Sequence, residues 1–321
     1  MASSIRPKTS FFSKKTIAII ILATLFLVLP LFVSIYEVLN SRLPDDLSTA
    51  DSNIDLTPQD TDIKAIFASY DYDLKEIRKG YTPVPKLFLS SLPDDLDQIS
   101  NTNERKKIFI SIILPLILQV NENIMKDRRQ LSEIMYSMEA TGEMDDQERA
   151  WINKKLKQYR IQTFDVPELY SRMNIIPPSL AITQAAIETG WGTSRFATEA
   201  NALYGQWTWD DKKGIVPLKR RDDQSHSIKV FDDLMSAVRG YALNLNTHPA
   251  YEDFRIERRK YENPREIDVG DLLITLIFYS ELGYEYIDNL NSIIRVNRLR
   301  QFDSVKLSEN MFQEARLDQA L

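Results

Sequence analysis

The chain has 321 residues, of which 43% are hydrophobic and 27% are charged, a balance typical of a largely globular protein. Its net charge of −6 and pI of about 5.2 argue against a nucleic-acid-binding protein, because that class needs a basic surface to neutralise phosphates. The chain has no cysteine, which excludes thiol catalysis and disulfides. Its two histidines are too few for an ordinary zinc site, so we predict neither a metal nor a cofactor.

The N-terminal segment has the pattern of a membrane anchor. Residues 1–15 carry four basic side chains and no acid, and residues 16–36 form an uncharged apolar run. That run is long enough to cross a hydrocarbon core of about 30 Å. A cleaved signal peptide is the alternative, but its apolar core is usually only about 7–15 residues long. Because positive charges stay on the cytoplasmic side, we predict a single-pass inner-membrane protein with its remaining residues in the periplasm or otherwise outside the cytoplasm.

The rest of the chain divides into a linker, two helical segments and a tail. Residues 37–62 are rich in small polar residues, Asp and Pro, which favours a solvated linker. Residues 63–160 are predicted to be a helical region that packs on a catalytic domain at residues 161–310. Residues 311–321 are predicted to be a C-terminal tail.

Three patterns in the first helical segment predict its elements. The apolar stretch at residues 108–118 contains Pro115 and is too short to span a bilayer, which favours a buried core helix over a second membrane segment. Mixed apolar and charged spacing predicts amphipathic helices over residues 123–138 and 145–159. Thr141–Gly142 is the predicted break between them.

The second segment is predicted to be helical with one irregular interruption, so the fold class is α+β and predominantly α. Two prolines open a helix whose body runs from Ser179 to Glu188, and Gly190 is placed to end it. Residues 202–231 predict a short β-hairpin. Further helices are predicted over residues 232–246 and 271–280, with a last one reaching about Arg300.

Glu188 is the candidate catalytic residue, because of its position in this helix. It lies at the C-terminal end of a helix of small and apolar residues, where the helix dipole and partial burial both disfavour its ionised form. A glutamate with a raised pKa suits a general acid for glycosidic cleavage. The alternative is a surface glutamate, or one paired with Arg195. The neighbourhood favours a site, because it concentrates these glycines and tryptophans: Gly190, Trp191, Gly192, Gly205, Trp207, Trp209 and Gly214.

Several separated motifs resemble one known family. Glu-Thr-Gly-Trp-Gly-Thr-Ser at residues 188–194, followed by Asn-Ala-Leu-Tyr-Gly at 201–205, resembles the signature of the bacterial glucosaminidase family of peptidoglycan N-acetylglucosaminidases. Gly-Gln-Trp-Thr at 205–208, Asn-Leu-Asn-Thr-His-Pro-Ala-Tyr at 244–251 and Tyr-Ser-Glu-Leu-Gly-Tyr-Glu-Tyr at 279–286 are similar to its Bax-protein subgroup.

The resemblance implies a lysozyme-like, α-rich domain whose small β-hairpin lines a groove for peptidoglycan glycan strands. It also implies hydrolysis of the β-1,4 bond between N-acetylglucosamine and N-acetylmuramic acid. Glu188 matches the family's catalytic acid, and Tyr279 matches a tyrosine near the cleavage point. Tyr284 and Tyr286 are interpreted as packing residues. Within the matching motifs, the predicted substrate contacts are Trp191, Asn201, Tyr204, Gln206 and Trp207.

One departure from the family leaves the second catalytic group open. Many relatives carry a second acid on the hairpin, but residues 214–224 contain no glutamate. Asp222 and Asp223 are the nearest candidates, with Asp210 and Asp211 behind them. Without a second carboxylate, the acetamido group of the substrate could act as the nucleophile, so inverting and substrate-assisted mechanisms both stay open. A non-catalytic peptidoglycan-binding protein and a lytic transglycosylase are the alternative functions.

Overall fold

A computed structural model describes residues 62–210, 212, 214–216, 227–277, 279–280 and 282–309, and most of these residues lie in helices. The predicted anchor at residues 16–36 lies outside these residues, as do Asp211, Asp222 and Asp223. All of the described residues belong to one compact unit.

The described elements are mostly short helices, with a small sheet in the middle of the sequence. In chain order they are α1 (Ile63–Ser69), α2 (Leu74–Arg78), α3 (Thr102–Thr141), α4 (Asp146–Gln158), α5 (Val166–Arg172), α6 (Pro178–Thr189), α7 (Arg195–Ala200), β1 (Trp207–Thr208), β2 (Gly214–Ile215), β3 (Ser227–Lys229), α8 (Leu234–Thr247), α9 (Glu252–Arg258), α10 (Val269–Leu273) and α11 (Tyr284–Val296). The α+β, predominantly helical prediction is confirmed at this level.

The longest element is α3, which joins two predicted helices into one. The side chain of Asn101 accepts hydrogen bonds from the first backbone N–H groups of the helix, and Gly142, at φ +73°, ends it in the left-handed conformation. The chain therefore breaks at Thr141–Gly142, as predicted. Nothing between residues 118 and 123 stops the helix, because Gln, Val, Asn and Glu all tolerate helical geometry.

The apolar half of α3 is a core element. Among the described helices, α3 is long and apolar enough to cross a membrane, but 78% of its apolar window is buried inside the protein. Residues 108–121 are buried without interruption. The predicted core helix at residues 108–118 is therefore confirmed.

Helix α6 occupies the centre of the packing. Helix α3 packs against α6 and α8, while α6 also contacts α11 and a 3-10 turn at Leu299–Phe302. Buried apolar side chains from both predicted helical segments belong to a single core. The boundary at residues 160–161 stays a prediction.

The first turn of α6 is stabilised by a carboxylate that is distant in sequence. Pro177 and Pro178 provide no side-chain cap, so the N-terminal donors of the helix need another partner. The backbone N–H and the hydroxyl of Ser179 each donate to one carboxylate oxygen of Asp303, both at 2.7 Å. Burial nevertheless raises the pKa of Asp303 to about 6, although these hydrogen bonds oppose the shift.

An Asp303→Asn variant is expected to change the pH dependence of stability. A folded-state pKa above the unfolded value of 3.8 means that this group stabilises the fold fully below pH 3.8 and loses that contribution as pH rises through about 6. Denaturant unfolding from pH 4 to pH 7 should show wild type losing at most about 3 kcal/mol relative to the variant. Asp268, whose pKa is lowered chiefly by the backbone N–H of Gly270, is the control. Its contribution to stability is present above pH 3.8 and is lost only at lower pH, so Asp268→Asn should parallel wild type between pH 4 and pH 7.

The sheet has three strands where the sequence predicted a two-stranded hairpin. Strand β3 is central and pairs antiparallel with both neighbours, in the order β1–β3–β2. Trp207 pairs with Ile228, and Gly214 pairs with Lys229. The additional strand forms because β3 returns beside the segment after α7, where the backbone N–H of Lys229 donates to the carbonyl of Gln206 at 2.8 Å.

Two C-terminal helices are shorter than predicted. The helix expected over residues 271–280 is α10 followed by a 3-10 turn at Ile274–Leu276. The last helix, α11, ends at Val296, and Arg298 adopts a left-handed conformation at φ +51° before the next 3-10 turn. Tight turns of this kind leave no periodic signature that an apolar pattern could reveal.

Candidate active site

Glu188 lies in the last turn of α6, where the helix meets solvent. Gly190 ends the helix as predicted, at φ +59°, and its N–H donates to carbonyls of the preceding turn. The body of α6 is buried, whereas Glu188 is exposed on one side. A polar side chain is thus fixed at the open end of a rigid core helix.

The loop at Gly205 packs directly on the Glu188 carboxylate. A Cβ atom at Gly205 would lie only 2.9 Å from Oε2 of Glu188, and the residue adopts φ +60°. Glycine is the residue that fits both the backbone conformation and the close approach. Gly205 therefore lets the backbone close over one side of the carboxylate.

The surroundings of Glu188 favour its protonated form. Burial raises its pKa, and no cation among the described residues opposes that shift. The shift is moderated because one side of the glutamate remains exposed. The alternative pairing with Arg195 is not formed, since the Arg195 guanidinium lies 3.4 Å from the carboxylate of Glu199.

Five tyrosines from separate parts of the chain pack together next to the site. The rings of Tyr279 and Tyr286 are parallel, with centroids 5.6 Å apart, and Tyr251 lies 5.9 Å from Tyr279. Tyr204 stacks on Tyr241 at 3.8 Å. Burial raises the pKa of Tyr279 and of Tyr286, and the charge of Glu188 adds to both shifts. These two phenols therefore lie within the electrostatic field of the candidate acid.

Tyr279 is suited to donate a hydrogen bond rather than to accept a proton. Its hydroxyl donates to the backbone carbonyl of Tyr204 at 3.4 Å. Burial holds its pKa well above the ordinary value of 10, so it stays protonated at neutral pH. Its predicted catalytic role is untested, but this environment excludes a general base formed by its phenolate.

Trp191 packs mainly against protein. The ammonium of Lys106 lies 4.9 Å from its ring centroid, and Phe109 meets it edge to face at 5.9 Å. Because a cation covers one face of the indole, Trp191 offers at most its other face to a sugar. Its role as a substrate contact stays a prediction.

Trp207 is the more open of the candidate sugar platforms. It is 52% exposed on the edge strand β1. Trp209 is half-buried and meets it at an angle, with the ring centroids 6.5 Å apart. The two indoles therefore form one aromatic patch, in line with their separation by two residues, which places both side chains on one side of an extended segment.

The other predicted substrate contacts lie mostly beneath the surface. The Asn201 amide donates to the carbonyl of Phe231 at 3.2 Å, which ties the end of α7 to the end of β3. Tyr204 is 2% exposed, so its ring supports the site from below. Gln206 is half-buried, and its Oε1 atom has no hydrogen-bond partner among the described residues. Of these three, Gln206 has the side chain best placed to rearrange toward a ligand.

Of the four aspartates considered as the second acid, only Asp210 is among the described residues. Asp222 and Asp223 lie outside them and stay predictions. Asp210 is exposed, and its carboxylate accepts a hydrogen bond from the backbone N–H of Lys212 at 3.0 Å, as in an ordinary polar turn. In the described part of the chain, no cluster of histidine and acidic side chains could hold a metal ion.

Three residues of the site were not predicted from the sequence. Gln184 is fully buried and hydrogen-bonds to both Tyr241 and Tyr286. A long polar side chain one turn before Glu188, in a helix of otherwise small or apolar residues, was the available signal. The partner tyrosines could not be identified, because they come from helices distant in sequence.

Comparison with known proteins identifies similar chains. Residues 165–299 match the glucosaminidase family, described as mannosyl-glycoprotein endo-β-N-acetylglucosaminidase. Protein bax of Escherichia coli strain K12 is 32% identical over 216 residues, which cover 65% of this chain and 75% of that protein. The catalytic domain of the autolysin Auto from Listeria monocytogenes aligns with 53% of this chain and 96% of that domain, at 18% identity. Its TM-score of 0.32 is too low to carry a structural argument.

Proposed function

Because the chain belongs to the glucosaminidase family, in the subgroup of Protein bax, we propose that it hydrolyses peptidoglycan at the β-1,4 bond between N-acetylglucosamine and N-acetylmuramic acid. Family membership supports the general class, a glycoside hydrolase that acts on peptidoglycan. The particular bond and the role of Glu188 as general acid are the finer parts of the proposal.

The environment of Glu188 is the observation that carries the proposal. A general acid must hold its proton near neutral pH and must also face the substrate. Glu188 is exposed on one side, whereas burial against Gly205 and the helix end raises its pKa. This combination supports protonation of the glycosidic oxygen by Glu188, after which the bond from that oxygen to the sugar's anomeric carbon breaks.

The groups beside Glu188 support two further roles. Tyr279 remains protonated and is therefore proposed to donate a hydrogen bond at the cleavage point. Trp207 is proposed to stack on a sugar ring, because it is 52% exposed and held by a second indole. The activation of water by Asp222 or Asp223 and the use of the substrate's acetamido group remain the two alternatives for the second step.

We further propose that the domain is lysozyme-like and is held outside the cytoplasm by the anchor at residues 16–36. The predominantly helical fold with one small antiparallel sheet after α7 supports the first point. The requirement for access to peptidoglycan supports the second.

Mass spectrometry of fragments released by the full-length protein tests the proposed function. Digestion of purified peptidoglycan is expected to yield fragments with N-acetylglucosamine at the reducing end. Fragments ending in N-acetylmuramic acid would identify a muramidase, and anhydro-sugar ends would identify a lytic transglycosylase. Binding to insoluble peptidoglycan without release of fragments would identify a non-catalytic binding protein.

A further inference from the structure

Three buried polar side chains from different helices form a line of hydrogen bonds that passes through α6 one helical turn before Glu188. Tyr241 comes from α8, Gln184 from α6 and Tyr286 from α11. They are 2%, 0% and 2% exposed, respectively. Buried polar groups lower stability unless they are satisfied, so a line of this kind fixes the orientation of each member.

The lengths of the two hydrogen bonds indicate which atom donates and which accepts in each. The Tyr241 hydroxyl donates to Oε1 of Gln184 at 2.5 Å, and Nε2 of Gln184 donates to the Tyr286 hydroxyl oxygen at 3.0 Å. The first distance suits O–H···O and the second suits N–H···O, whereas the reversed amide would place an N–H donor at 2.5 Å. The Tyr286 oxygen is therefore an acceptor in this line.

A tyrosine hydroxyl has one proton, so Tyr286 can donate it to a different acceptor. Gln184 lies one helical turn before Glu188 on the same face of α6. Side chains on a helix lean toward its N-terminus, so Glu188 leans over the turn that carries Gln184. Burial raises the pKa of Tyr286, the hydrogen bond from Gln184 opposes this shift, and the negative charge of Glu188 adds to it, so the carboxylate lies within electrostatic range of the phenol.

We propose that Gln184 and Tyr241 are positioning residues that hold the Tyr286 hydroxyl as a hydrogen-bond donor for the Glu188 carboxylate. This inference rests on the proposed function. When the proton of Glu188 moves to the glycosidic oxygen and the bond to the anomeric carbon breaks, the leaving sugar becomes an alcohol and Glu188 becomes a carboxylate. The electron-poor anomeric carbon is captured by the acetamido oxygen of the substrate or by water. The Tyr286 oxygen accepts from Gln184, so the hydroxyl keeps its own proton to donate to Glu188 as the carboxylate becomes charged.

A hydrogen bond of this kind acts on the chemical step. It stabilises Glu188 only as negative charge develops, so it lowers the barrier without tightening substrate binding. A hydrogen bond to a charged group corresponds to about 10- to 100-fold in rate. Loss of the donor should also raise the pKa of Glu188, because its charged form loses a partner. The titratable groups that face Tyr286 from the packed elements are Glu188, Tyr241, Tyr251 and Tyr279.

The test compares Tyr286→Phe with Tyr284→Phe in the full-length protein. Tyr284 lies on the same helix but is 69% exposed, which makes it a matched control. With soluble glycan oligomers from peptidoglycan, Tyr286→Phe is expected to lower kcat about 10- to 100-fold, leave KM unchanged and move the alkaline limb of the kcat profile to higher pH. Tyr284→Phe is expected to match wild type in all three.

A Gln184→Leu variant keeps the proposal testable through a second position. It removes both hydrogen bonds of the line while retaining a buried side chain of similar size. The double variant Gln184→Leu/Tyr286→Phe is expected to be no slower than Tyr286→Phe alone, because both changes remove one function. Multiplied losses in the double variant would overturn the coupling.

The outcomes separate this inference from the proposed function. An active wild type together with a folded Tyr286→Phe of unchanged kcat and pH profile would overturn the inference alone. A rise in KM without a change in the pH profile would likewise overturn it, because that pattern indicates altered packing. An inactive wild type on all glycan substrates would overturn the proposed function itself.

Discussion

Replacement of Glu188 by glutamine is expected to lower kcat for glycan cleavage by about 10²- to 10⁴-fold, the range that general acid catalysis provides. The glutamine amide is nearly the same size as the carboxyl group. The side chain at the end of α6 therefore keeps its contact with Gly205. It cannot release a proton to the glycosidic oxygen, and the chemical step is therefore lost while substrate binding is retained. Release of soluble fragments from purified peptidoglycan measures the change.

Glu199→Gln is the matched control for this experiment. Glu199 lies on α7 and is exposed, where its carboxylate is 3.4 Å from Arg195. Its loss should leave cleavage unchanged, because an exposed ion pair contributes little. Wild-type rates in the Glu188→Gln variant would remove Glu188 from the role of acid.

In the wild type, kcat should fall as pH rises through the raised pKa of Glu188, since the reaction requires its protonated form.

The parts of the structure that depend on local sequence were predictable. The end of α6 at Gly190 follows from a helical run that meets a residue tolerant of positive φ, and this placed Glu188 at a helix end. The burial of residues 108–118 followed from an apolar run too short for a bilayer. In both cases the decisive information lies within about one or two helical turns.

The enclosure of Glu188 could not be predicted, because it depends on contacts between distant segments. Gly205 was identified only as part of a glycine- and tryptophan-rich neighbourhood and of a family motif, and nothing in the sequence indicated that its backbone would pack on the carboxylate. Tyr286 was interpreted as a packing residue, and its burial agrees with that, but its hydrogen bond to Gln184 spans 102 positions of the chain. Trp191 was considered a sugar platform, whereas Lys106 covers one of its faces.

A Gly205→Ala variant is expected to lose activity on the order of 10²-fold, the loss that a displacement of about 1 Å can cause in an active site. The added Cβ would lie 2.9 Å from Oε2 of Glu188, so the carboxylate must move away from the position that Gly205 now permits. The positive φ of +60° adds a backbone cost of about 1–2 kcal/mol for a residue other than glycine. Cleavage kinetics and denaturant unfolding measure the two effects separately.

Gly80→Ala separates the contact from the backbone strain. Gly80 also has a positive φ, +77°, but an added Cβ there would meet no atom within 4 Å. This variant should lose a similar amount of stability and keep wild-type activity. Equal activity losses in both variants would mean that strain, and not the contact with Glu188, explains the effect of Gly205→Ala.

A shorter acid tests the contact itself. In Glu188→Asp the carboxylate is one methylene closer to the helix and no longer reaches the space over Gly205. Adding Gly205→Ala to this variant should therefore cause little further loss of activity, because the clash at 2.9 Å has already been removed. If the two losses multiply instead, Gly205 influences catalysis by a route other than its contact with the Glu188 carboxylate.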